Sequence, residues 1–377
     1  MANITNPFVG RGYYLIVIDM RILRLFLFPV SLIFLVGVYV RNFLYRQGWF
    51  KVYKLSTPII SIGNLSTGGT GKTPMACFIL DYLIQQGISV AYLSRGYGRS
   101  TEGFRRVIEH ADAARLFGDE AVLIFNRFPG IPVAVCEDRV GGATRLIRET
   151  AASIIVLDDA FQHQKIGRDL DIVMIDATQM PDRDLVLPAG NLREPLSSLS
   201  RAGIVVLNKI PEQADRQALI KRLKHPQIAV SKAQFAEVIF FRPEVRPALP
   251  SEVLLKHPVI VFSGLGNNEQ FFDQLREMGV DIRKSFSFPD HHVYTPEDLK
   301  LITLEFRTQV PESPELIILT TEKDYCRLNS VNLPAVLTPY PCAYITMDLV
   351  WLEGKHLVTE ELHKLVNKIN HDRETTT

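Results

Sequence analysis

Apolar residues in this chain form short continuous runs rather than long alternating ones. Runs such as 59–62, 153–157 and 171–175 are typical of strands that are buried on both faces of a parallel sheet. Segments with helical spacing lie between many of these runs, as at 75–86, which ends before Gly87. Strand and helix patterns alternate to the end of the chain, which predicts an α/β fold with a mostly parallel sheet.

The pattern changes between residues 212 and 256, where prolines separate short strand-like pieces. A chain of 377 residues is long for one domain, so this region is the natural place for a boundary. We predict four parts: a hydrophobic segment at 1–54, an α/β domain at 55–230, a linker at 231–256, and a second, smaller α/β domain at 257–377.

The N-terminal segment departs from the α/β pattern. Residues 25–40 are almost entirely apolar and lie between Arg24 and Arg41. A helix of this run is about 24 Å long, which is shorter than a hydrocarbon core of roughly 30 Å. Basic residues lie on both sides of the run, whereas a spanning helix has most of them on one side. The segment 1–54 is therefore predicted to be a membrane anchor whose helix lies in the membrane surface, with a short transmembrane helix and a buried core helix as alternatives.

Bulk charge and cysteine usage remove several classes of function. The net charge is +1, so no basic excess indicates a nucleic-acid partner. The four cysteines form no Cys-x-x-Cys pair, which argues against a zinc site and against a disulfide framework.

A glycine-rich turn between the strand at 59–62 and the helix at 75–86 has the layout of a phosphate-binding loop. Glycine backbones let N–H groups surround phosphate oxygens, and the start of the helix adds a favourable field. A lysine in this pattern reaches the β- and γ-phosphates, and the next hydroxyl binds Mg²⁺. Ser66 departs from the usual pattern, because a glycine is expected there. The predicted nucleotide-binding residues are Gly68, Gly69, Thr70, Gly71, Lys72 and Thr73, and the domain at 55–230 is therefore predicted to be P-loop NTPase-like.

Polar side chains also follow other strands of the predicted sheet, at the edge where open α/β sheets bind their ligands. Asp158 and Asp159 follow the strand at 153–157, and an acid in this position is the usual second holder of Mg²⁺ beside a phosphate loop. Arg95 and Arg99 follow an earlier strand and suit contacts with phosphate, with a solvated turn as the alternative.

Further candidates lie at a helix start and in loops. Asp119 and Glu120 follow Gly118 and open a helix, where two acids also complement the helix dipole. The stretch 290–292, Asp-His-His, contains groups that titrate near neutral pH. The remaining candidates are Arg193, which is available to an anion, together with Gln162 and His163. A histidine such as His163 is more often a hydrogen-bonded structural residue than a catalyst.

A GTPase hypothesis fails at two positions. The guanine-reading pattern Asn-Lys-x-Asp begins at Asn208 but has Pro211 in place of the aspartate. The switch pattern Asp-x-x-Gly begins at Asp159 but has Gln162 in place of the glycine. The loop is therefore predicted to bind a triphosphate other than GTP.

Taken together, these motifs resemble those of the tetraacyldisaccharide 4'-kinase family, the lipid A 4'-kinases of Gram-negative bacteria. The resemblance covers nearly the whole chain, including the hydrophobic segment, and no single motif would suffice for it. Ala160 and Ala121 stand where glycine and proline are common in the family. The stretches that carry the resemblance are, in order, 68–74, 94–99, 118–120, 158–163, 192–195, 290–292 and 321–324.

The resemblance implies a lipid kinase that depends on ATP and Mg²⁺. The γ-phosphate is transferred to the 4'-hydroxyl of a tetraacyl glucosamine disaccharide 1-phosphate at the cytoplasmic face of the bacterial inner membrane. Asp119 is implied as the general base, paired with His291 from the second domain. The implied metal ligands are Thr73 and Asp159, supported by Glu120 and Asp158, and the implied substrate contacts are Arg95, Arg99, Arg193, Gln162 and His163.

Two other functions stay open on the residues alone. One is a membrane-associated P-loop ATPase that acts on a protein partner, and the other is a nucleotide-binding regulatory module without chemistry. The pattern also leaves open whether His291 or His292 pairs with Asp119, although the position in the motif favours His291.

Overall fold

A computed structural model describes residues 20–211, 213–241, 247–328 and 336–374, with side chains described for the same residues except 20–23 and 374. The first 19 residues of the predicted anchor segment lie outside these ranges.

The strands of the described chain join in one sheet, in the order β11-β10-β12-β13-β8-β7-β6-β1-β5-β2-β4-β3, with β9 paired to β8. The strands are β1 Ile59–Asn64, β2 Val90–Ser94, β3 Arg105–Arg106, β4 Val133–Val135, β5 Ile154–Asp158, β6 Leu170–Asp176, β7 Ile204–Asn208, β8 Ile228–Phe240, β9 Leu249–Pro250, β10 Val259–Ser263, β11 Ile282–Ser287, β12 Ile317–Thr321 and β13 Cys342–Glu353.

Helices cover the sheet and lead into it from the N-terminus. They are α1 Met20–Arg46, α2 Lys72–Gln85, α3 Ala113–Phe117, α4 Asp119–Arg127, α5 Arg139–Thr150, α6 Arg216–Leu223, α7 Asn268–Glu277, α8 Pro296–Gln309, α9 Glu322–Leu328 and α10 Lys355–Glu374. The predicted α/β class is confirmed, since strands and helices alternate through both halves of the chain.

In the N-terminal half, from β1 to β7, the strands are parallel except β3, which pairs antiparallel with β4, and β1 lies in the interior of the sheet. All six residues of β1 are buried, and the strand pairs in parallel with β5 on one side and β6 on the other. Ile60 and Ile62 pack with Met75, Ile79 and other side chains of α2 in one apolar cluster. Because β1 and β5 are adjacent, the loop after β1 and the acids at the end of β5 lie at the same edge of the sheet.

The C-terminal half, from β10 to β13 with α7 to α9, has its own apolar clusters on the two faces of β10 and β12. Strands β11, β10, β12 and β13 are parallel to one another. After β13 the chain returns to the N-terminal half, where Val358, Leu362 and Val366 of α10 join the apolar cluster around β1 and α2. Residues 355–374 of the predicted second domain therefore pack on the first half.

Strand β8 connects the two halves. It pairs in parallel with β7 and, along most of its length, antiparallel with β13, from Phe240 opposite Ala343 to Val230 opposite Glu353. Most of β8 falls within the predicted linker, 231–256, and the strand ends before the prolines that prompted that prediction. The structure therefore continues the sheet through this region, while the domain boundaries themselves stay a prediction.

Helix α1 is longer than the apolar run that predicted it, because no helix breaker follows the run until Gly48. Ser31 and Val38 are the buried residues of its described part, and most of its large apolar side chains are exposed. The buried core helix, one of the three alternatives, is therefore not what the structure has. By length and composition, residues 24–46 are sufficient to cross a membrane.

One side of α1 docks on the N-terminal half through polar contacts. The Ser31 hydroxyl accepts a hydrogen bond of 2.8 Å from the Ala189 amide, and Asn42 Oδ1 accepts one of 2.6 Å from Gln164. Arg41 forms an ion pair with Glu194, whose side chain is fully buried. These contacts fix the helix against the loop that carries Arg193.

Gly63 tests how closely β1 packs. A Cβ atom there would lie 2.6 Å from Cβ of Phe161 and 2.9 Å from its backbone nitrogen. Because the neighbouring backbone has to shift, we expect Gly63→Ala to destabilise the fold by about 1–3 kcal/mol. Thermal unfolding in detergent, followed by circular dichroism, measures the loss.

Gly37→Ala in α1 is the matched control, because a Cβ there meets nothing within 4 Å. Alanine is the better helix former, so this variant should unfold at the wild-type temperature or slightly above it. Equal unfolding temperatures for the two variants would contradict the packing argument.

Candidate active site

The phosphate loop connects β1 to α2 and is shaped by two glycines in left-handed conformations. Gly68 has φ +101°, and Gly71, which caps α2, has φ +95°. A Cβ atom at Gly71 would also collide with Nδ2 of Asn208. Lys72 and Thr73 form the first turn of α2, so their backbone N–H groups point toward the site of an anion.

Two buried asparagines hold this loop from beneath. Nδ2 of Asn208, at the end of β7, donates to the Thr70 carbonyl at 3.1 Å. Nδ2 of Asn64, at the end of β1, donates to the Thr70 hydroxyl at 3.2 Å. Both asparagines are fully buried, so these hydrogen bonds are shielded from water and keep the loop in shape.

Asp159, directly after β5, faces the loop. Its Oδ1 lies 3.5 Å from Nζ of Lys72, and its Oδ2 lies 2.7 Å from Nη1 of Arg193. Burial by itself raises the pKa of Asp159, but the charges of Lys72 and Arg193 outweigh it and hold the pKa below its ordinary value. Asp159 has φ +45°, which is strained for a residue with a side chain and is a feature found at functional sites.

Asp158 lies one residue earlier and is buried in the sheet. Burial and the nearby charge of Glu120 raise the pKa of Asp158 to about 6. The Ser94 hydroxyl, at the end of β2, lies 3.4 Å from its Oδ2. Asp158 of β5 and Glu120 in the first turn of α4 therefore lie close enough for the charge of one to affect the pKa of the other.

Asp119 begins α4 and meets a histidine from the other half of the chain. Its Oδ2 lies 3.2 Å from Nδ1 of His291, and its Oδ1 accepts a hydrogen bond of 2.9 Å from the Glu120 amide. Asp119 is 4% exposed and His291 is 38% exposed, so the pair reaches solvent through the histidine. His291 has φ +56°, a second strained backbone in the site.

Two cations of α9 contact the same two acids. Nζ of Lys323 lies 2.8 Å from Oε1 of Glu120, and Nη2 of Arg327 lies 2.5 Å from Oδ2 of Asp119. Burial alone raises the pKa of Asp119, but the hydrogen bond from His291 and the charges of Lys323 and Arg327 outweigh it and hold the pKa far below its ordinary value. The carboxylate is therefore ionised at neutral pH.

The hydrogen bond to Asp119 also acts on the histidine. It raises the pKa of His291 above the ordinary value, against the opposing effects of burial and of the Arg327 charge. Since Asp119 and His291 come from different halves of the chain, the pair exists only when the halves are joined as they are here.

A cavity of about 520 Å³ lies between the halves, but on another side of α2 and α4. None of the predicted site residues lines it. Its charged lining residues are Asp81, Glu237, Glu322, Asp348 and Arg127. Acids outnumber the base, which does not suit a triphosphate.

A family model and several relatives of known function match nearly the whole chain, and all of them are kinases of one type. Residues 23–367 match the family described as tetraacyldisaccharide-1-P 4'-kinase. The tetraacyldisaccharide 4'-kinase of Chlorobaculum parvum is 37% identical over 346 residues, which cover 89% of this chain and 92% of the relative. That of Chlorobium limicola is also 37% identical, over 90% of this chain and 97% of the relative.

A solved structure extends this similarity to the fold. The crystal structure of LpxK from Aquifex aeolicus in complex with ATP matches with a TM-score of 0.70 and 30% identity, over 92% of this chain and 99% of that one. The chain belongs to the tetraacyldisaccharide-1-P 4'-kinase family. The predicted resemblance is confirmed, and so is the prediction that the protein is an enzyme, a kinase.

The structure separates the remaining predicted residues into two groups. Arg193 contacts Asp159, and the Gln162 side chain donates to the Asn64 carbonyl at 2.7 Å, so both lie at the loop. Arg99 is buried in an ion pair with Glu137, whereas Arg95 is exposed. The Arg99 guanidinium group also donates to the Gly103 carbonyl, so it stabilises its own loop, and its role as a substrate contact stays a prediction.

The two remaining histidines are held apart from Asp119. Nε2 of His292 contacts Oδ2 of Asp298 at 2.9 Å, and its ring stacks on Phe288, so His291 is the histidine at the acid. Burial, together with the charge of Arg139, lowers the pKa of His163 to about 4. His163 is therefore neutral at pH 7.

The sequence pattern does not reveal three residues that shape the site. Asn208 begins an incomplete guanine-reading pattern, and Lys323 lies in a motif that has no assigned role. Arg327 lies one helical turn after Lys323, so both side chains lie on the same face of α9. That spacing was the available signal, but it has meaning only once the acids of α4 are known to lie opposite.

The Asp119–His291 contact gives a test that needs no substrate. In Asp119→Asn the charged acceptor is lost, so we expect the pKa of His291 to fall below its wild-type value. Imidazole resonances in a histidine-labelled protein, recorded against pH, give this value, and His291→Asn assigns the signal. An unchanged titration in Asp119→Asn would contradict the contact.

Proposed function

We propose that this kinase transfers the γ-phosphate of ATP to the 4'-hydroxyl of a tetraacyl glucosamine disaccharide 1-phosphate, at the cytoplasmic face of the bacterial inner membrane. The names of the relatives support the acceptor, and the ATP complex of the Aquifex protein supports the donor. The observation that carries the proposal is the Asp119–His291 pair, whose neighbour Glu120 lies close enough to Asp158 of β5 to raise the pKa of that acid.

The loop and its neighbours bind the triphosphate. The N–H groups at the start of α2 and the Lys72 ammonium take the β- and γ-phosphates. Lys72 and Arg193 both contact Asp159 in this structure, so two cations already lie where phosphate charge has to be balanced. Arg193 is suited to the three equatorial oxygens of the transferred phosphoryl group, because its planar fork donates two parallel hydrogen bonds.

The acids at the end of β5 fit Mg²⁺. Oδ1 of Asp159 is buried, and its polar contact among the described residues is the ion pair with the Lys72 ammonium at 3.5 Å, so it has room for a further ligand. In the described part of the chain no three acidic, histidine or cysteine side chains converge as a complete metal site. Mg²⁺ usually takes one or two protein ligands and completes its shell with phosphate and water. Thr73 and Asp159 are the proposed ligands, with Asp158 and Glu120 in support; Mg²⁺ bound there neutralises phosphate charge.

Asp119 and His291 act on the acceptor. The acceptor hydroxyl forms a bond to the γ-phosphorus as the bond from phosphorus to the ADP oxygen breaks, and the hydroxyl proton passes to the Asp119 carboxylate. His291 orients the carboxylate through Nδ1. General-base catalysis of this kind contributes a factor of about 10²–10⁴ to the rate.

The lipid part of the acceptor suits the exposed side of α1. Leu25, Phe26 and Ile33 are more than 70% exposed, and the polar side of the helix is held against the loop of Arg193. A lipid held at α1 therefore has its sugar near the loop. No nucleic-acid partner is proposed.

A membrane-associated ATPase that acts on a protein partner is the second candidate. It shares the loop and the metal site but needs no lipid acceptor. The kinase should move labelled γ-phosphate from ATP to purified disaccharide lipid in detergent micelles, with little free phosphate released. Release of inorganic phosphate alone, with or without lipid, would favour the ATPase.

Substitution of the proposed base tests the chemistry. We expect Asp119→Ala to lower kcat by a factor on the order of 10²–10⁴, because general-base catalysis is lost. Asp182→Ala is the control: it removes a carboxylate from a surface ion pair with Arg222 and should leave kcat unchanged. Turnover near wild type in Asp119→Ala would exclude Asp119 as the base.

A further inference from the structure

Two stretches of the C-terminal half have no role in the reaction described so far: the turn at Gly264 and the motif 321–324. In the structure they converge on one side chain, Arg327. Its Nη1 donates to the Gly264 carbonyl and, at 2.9 Å, to Oδ1 of Asp324. Oδ1 of Asp324 also accepts from the Gly264 amide at 3.1 Å, and its Oδ2 accepts from the Thr321 hydroxyl at 2.7 Å.

These contacts fix one edge of the guanidinium group, and the other edge faces the base. Nε of Arg327 donates to Oδ2 of Asp119 at 3.0 Å and Nη2 donates to the same oxygen at 2.5 Å. The side chains of Arg327, Asp119 and Asp324 are 7%, 4% and 0% exposed. A buried guanidinium group with fixed donors on both edges has little freedom to turn, so it fixes the carboxylate that it contacts.

Arg327 also faces the histidine. Its Nη2 lies 3.3 Å from Nδ1 of His291, the same nitrogen that lies 3.2 Å from Oδ2 of Asp119. Arginine only donates, so Nδ1 accepts from Arg327 when it carries no proton and donates to Asp119 when it does. The two contacts therefore favour opposite protonation states of one nitrogen.

We propose that Arg327 is a positioning residue that holds the Asp119 carboxylate in place and opposes protonation of the His291 ring. It acts on the acceptor hydroxyl only through these two groups. The inference deepens the proposed function and rests on it for its catalytic consequence, but its structural part holds for the protein alone.

Several other groups around His291 also affect its protonation, so the experiment has to distinguish their effects from that of Arg327. Asp119 faces it from α4 and Arg327 from α9, Asp290 precedes it in its own loop, and the ring of Tyr97 lies 5.4 Å away. The two acids favour the protonated ring and Arg327 disfavours it. Loss of Arg327 therefore has the opposite sign to loss of Asp119.

The experiment compares Arg327→Gln with Arg127→Gln. Arg127 also joins α4 to the C-terminal half, through Glu322 at 3.4 Å and through Asp348, but it contacts neither Asp119 nor His291. Both substitutions remove one arginine from the same interface. We expect the pKa of His291, read from its imidazole resonances, to rise in Arg327→Gln and to stay unchanged in Arg127→Gln.

Kinetics test the positioning role. In Arg327→Gln we expect kcat to fall by a factor on the order of 10², as for a catalytic group displaced by about 1 Å, with the KM for ATP nearly unchanged. Arg327→Lys keeps the charge but loses the fork, so it should restore the His291 titration and only part of kcat. If Arg327→Gln fails to fold, Arg327→Lys still tests the inference, because it should combine a wild-type His291 titration with a reduced kcat.

A His291 titration that is unchanged in Arg327→Gln, or that shifts equally in both glutamine variants, overturns the inference and leaves Arg327 as an interface residue. Absence of phosphotransfer in the wild-type protein is a different outcome. It refutes the proposed function, while the titration still decides whether Arg327 opposes the protonation of His291.

Discussion

A buried carboxylate has to be paired, and at Asp119 the partners come from across the boundary between the two halves. The acid lies on α4 of the N-terminal half, while His291 and Arg327 lie in the C-terminal half. Removing one partner of such a buried pair costs about 3–5 kcal/mol, because the remaining charge is left without compensation. Within the joined halves, the Asp119 carboxylate therefore requires partners such as His291 and Arg327 from the C-terminal half.

The central sheet holds the two halves of the chain together, so that Asp119 and His291 can come into contact. Strand β8 is hydrogen-bonded to β7 on one side and to β13 on the other, and α10 returns to the core of the N-terminal half. The halves are thus joined both by backbone hydrogen bonds and by apolar packing. The ion pairs between α4 and α9 add to these contacts and fix the side chains of Asp119 and Glu120.

Features that depend on residues close together in the chain could be predicted from the sequence, whereas features that depend on distant residues could not. The phosphate loop and the acids after β5 depend on a strand, a turn and the residues beside them, so their positions were readable at 68–73 and 158–159. The continuation of β8 through 231–240 depends on pairing with β13, more than 100 residues away. The ion pair of Arg99 with Glu137 and the contact of Arg327 with Asp119 depend on tertiary neighbours, so the residue types alone do not reveal them.

Glu194 relates the N-terminal helix to this same charge balance. Its buried carboxylate is paired with Arg41 of α1 and with Arg201 at 2.6 Å. The preceding residue, Arg193, contacts Asp159 at the phosphate site. Because a buried charge cannot lose a partner without a large cost, α1 is tied to the loop that carries Arg193. The position of the apolar helix and the position of the cation beside Asp159 are therefore set by adjacent residues, Glu194 and Arg193.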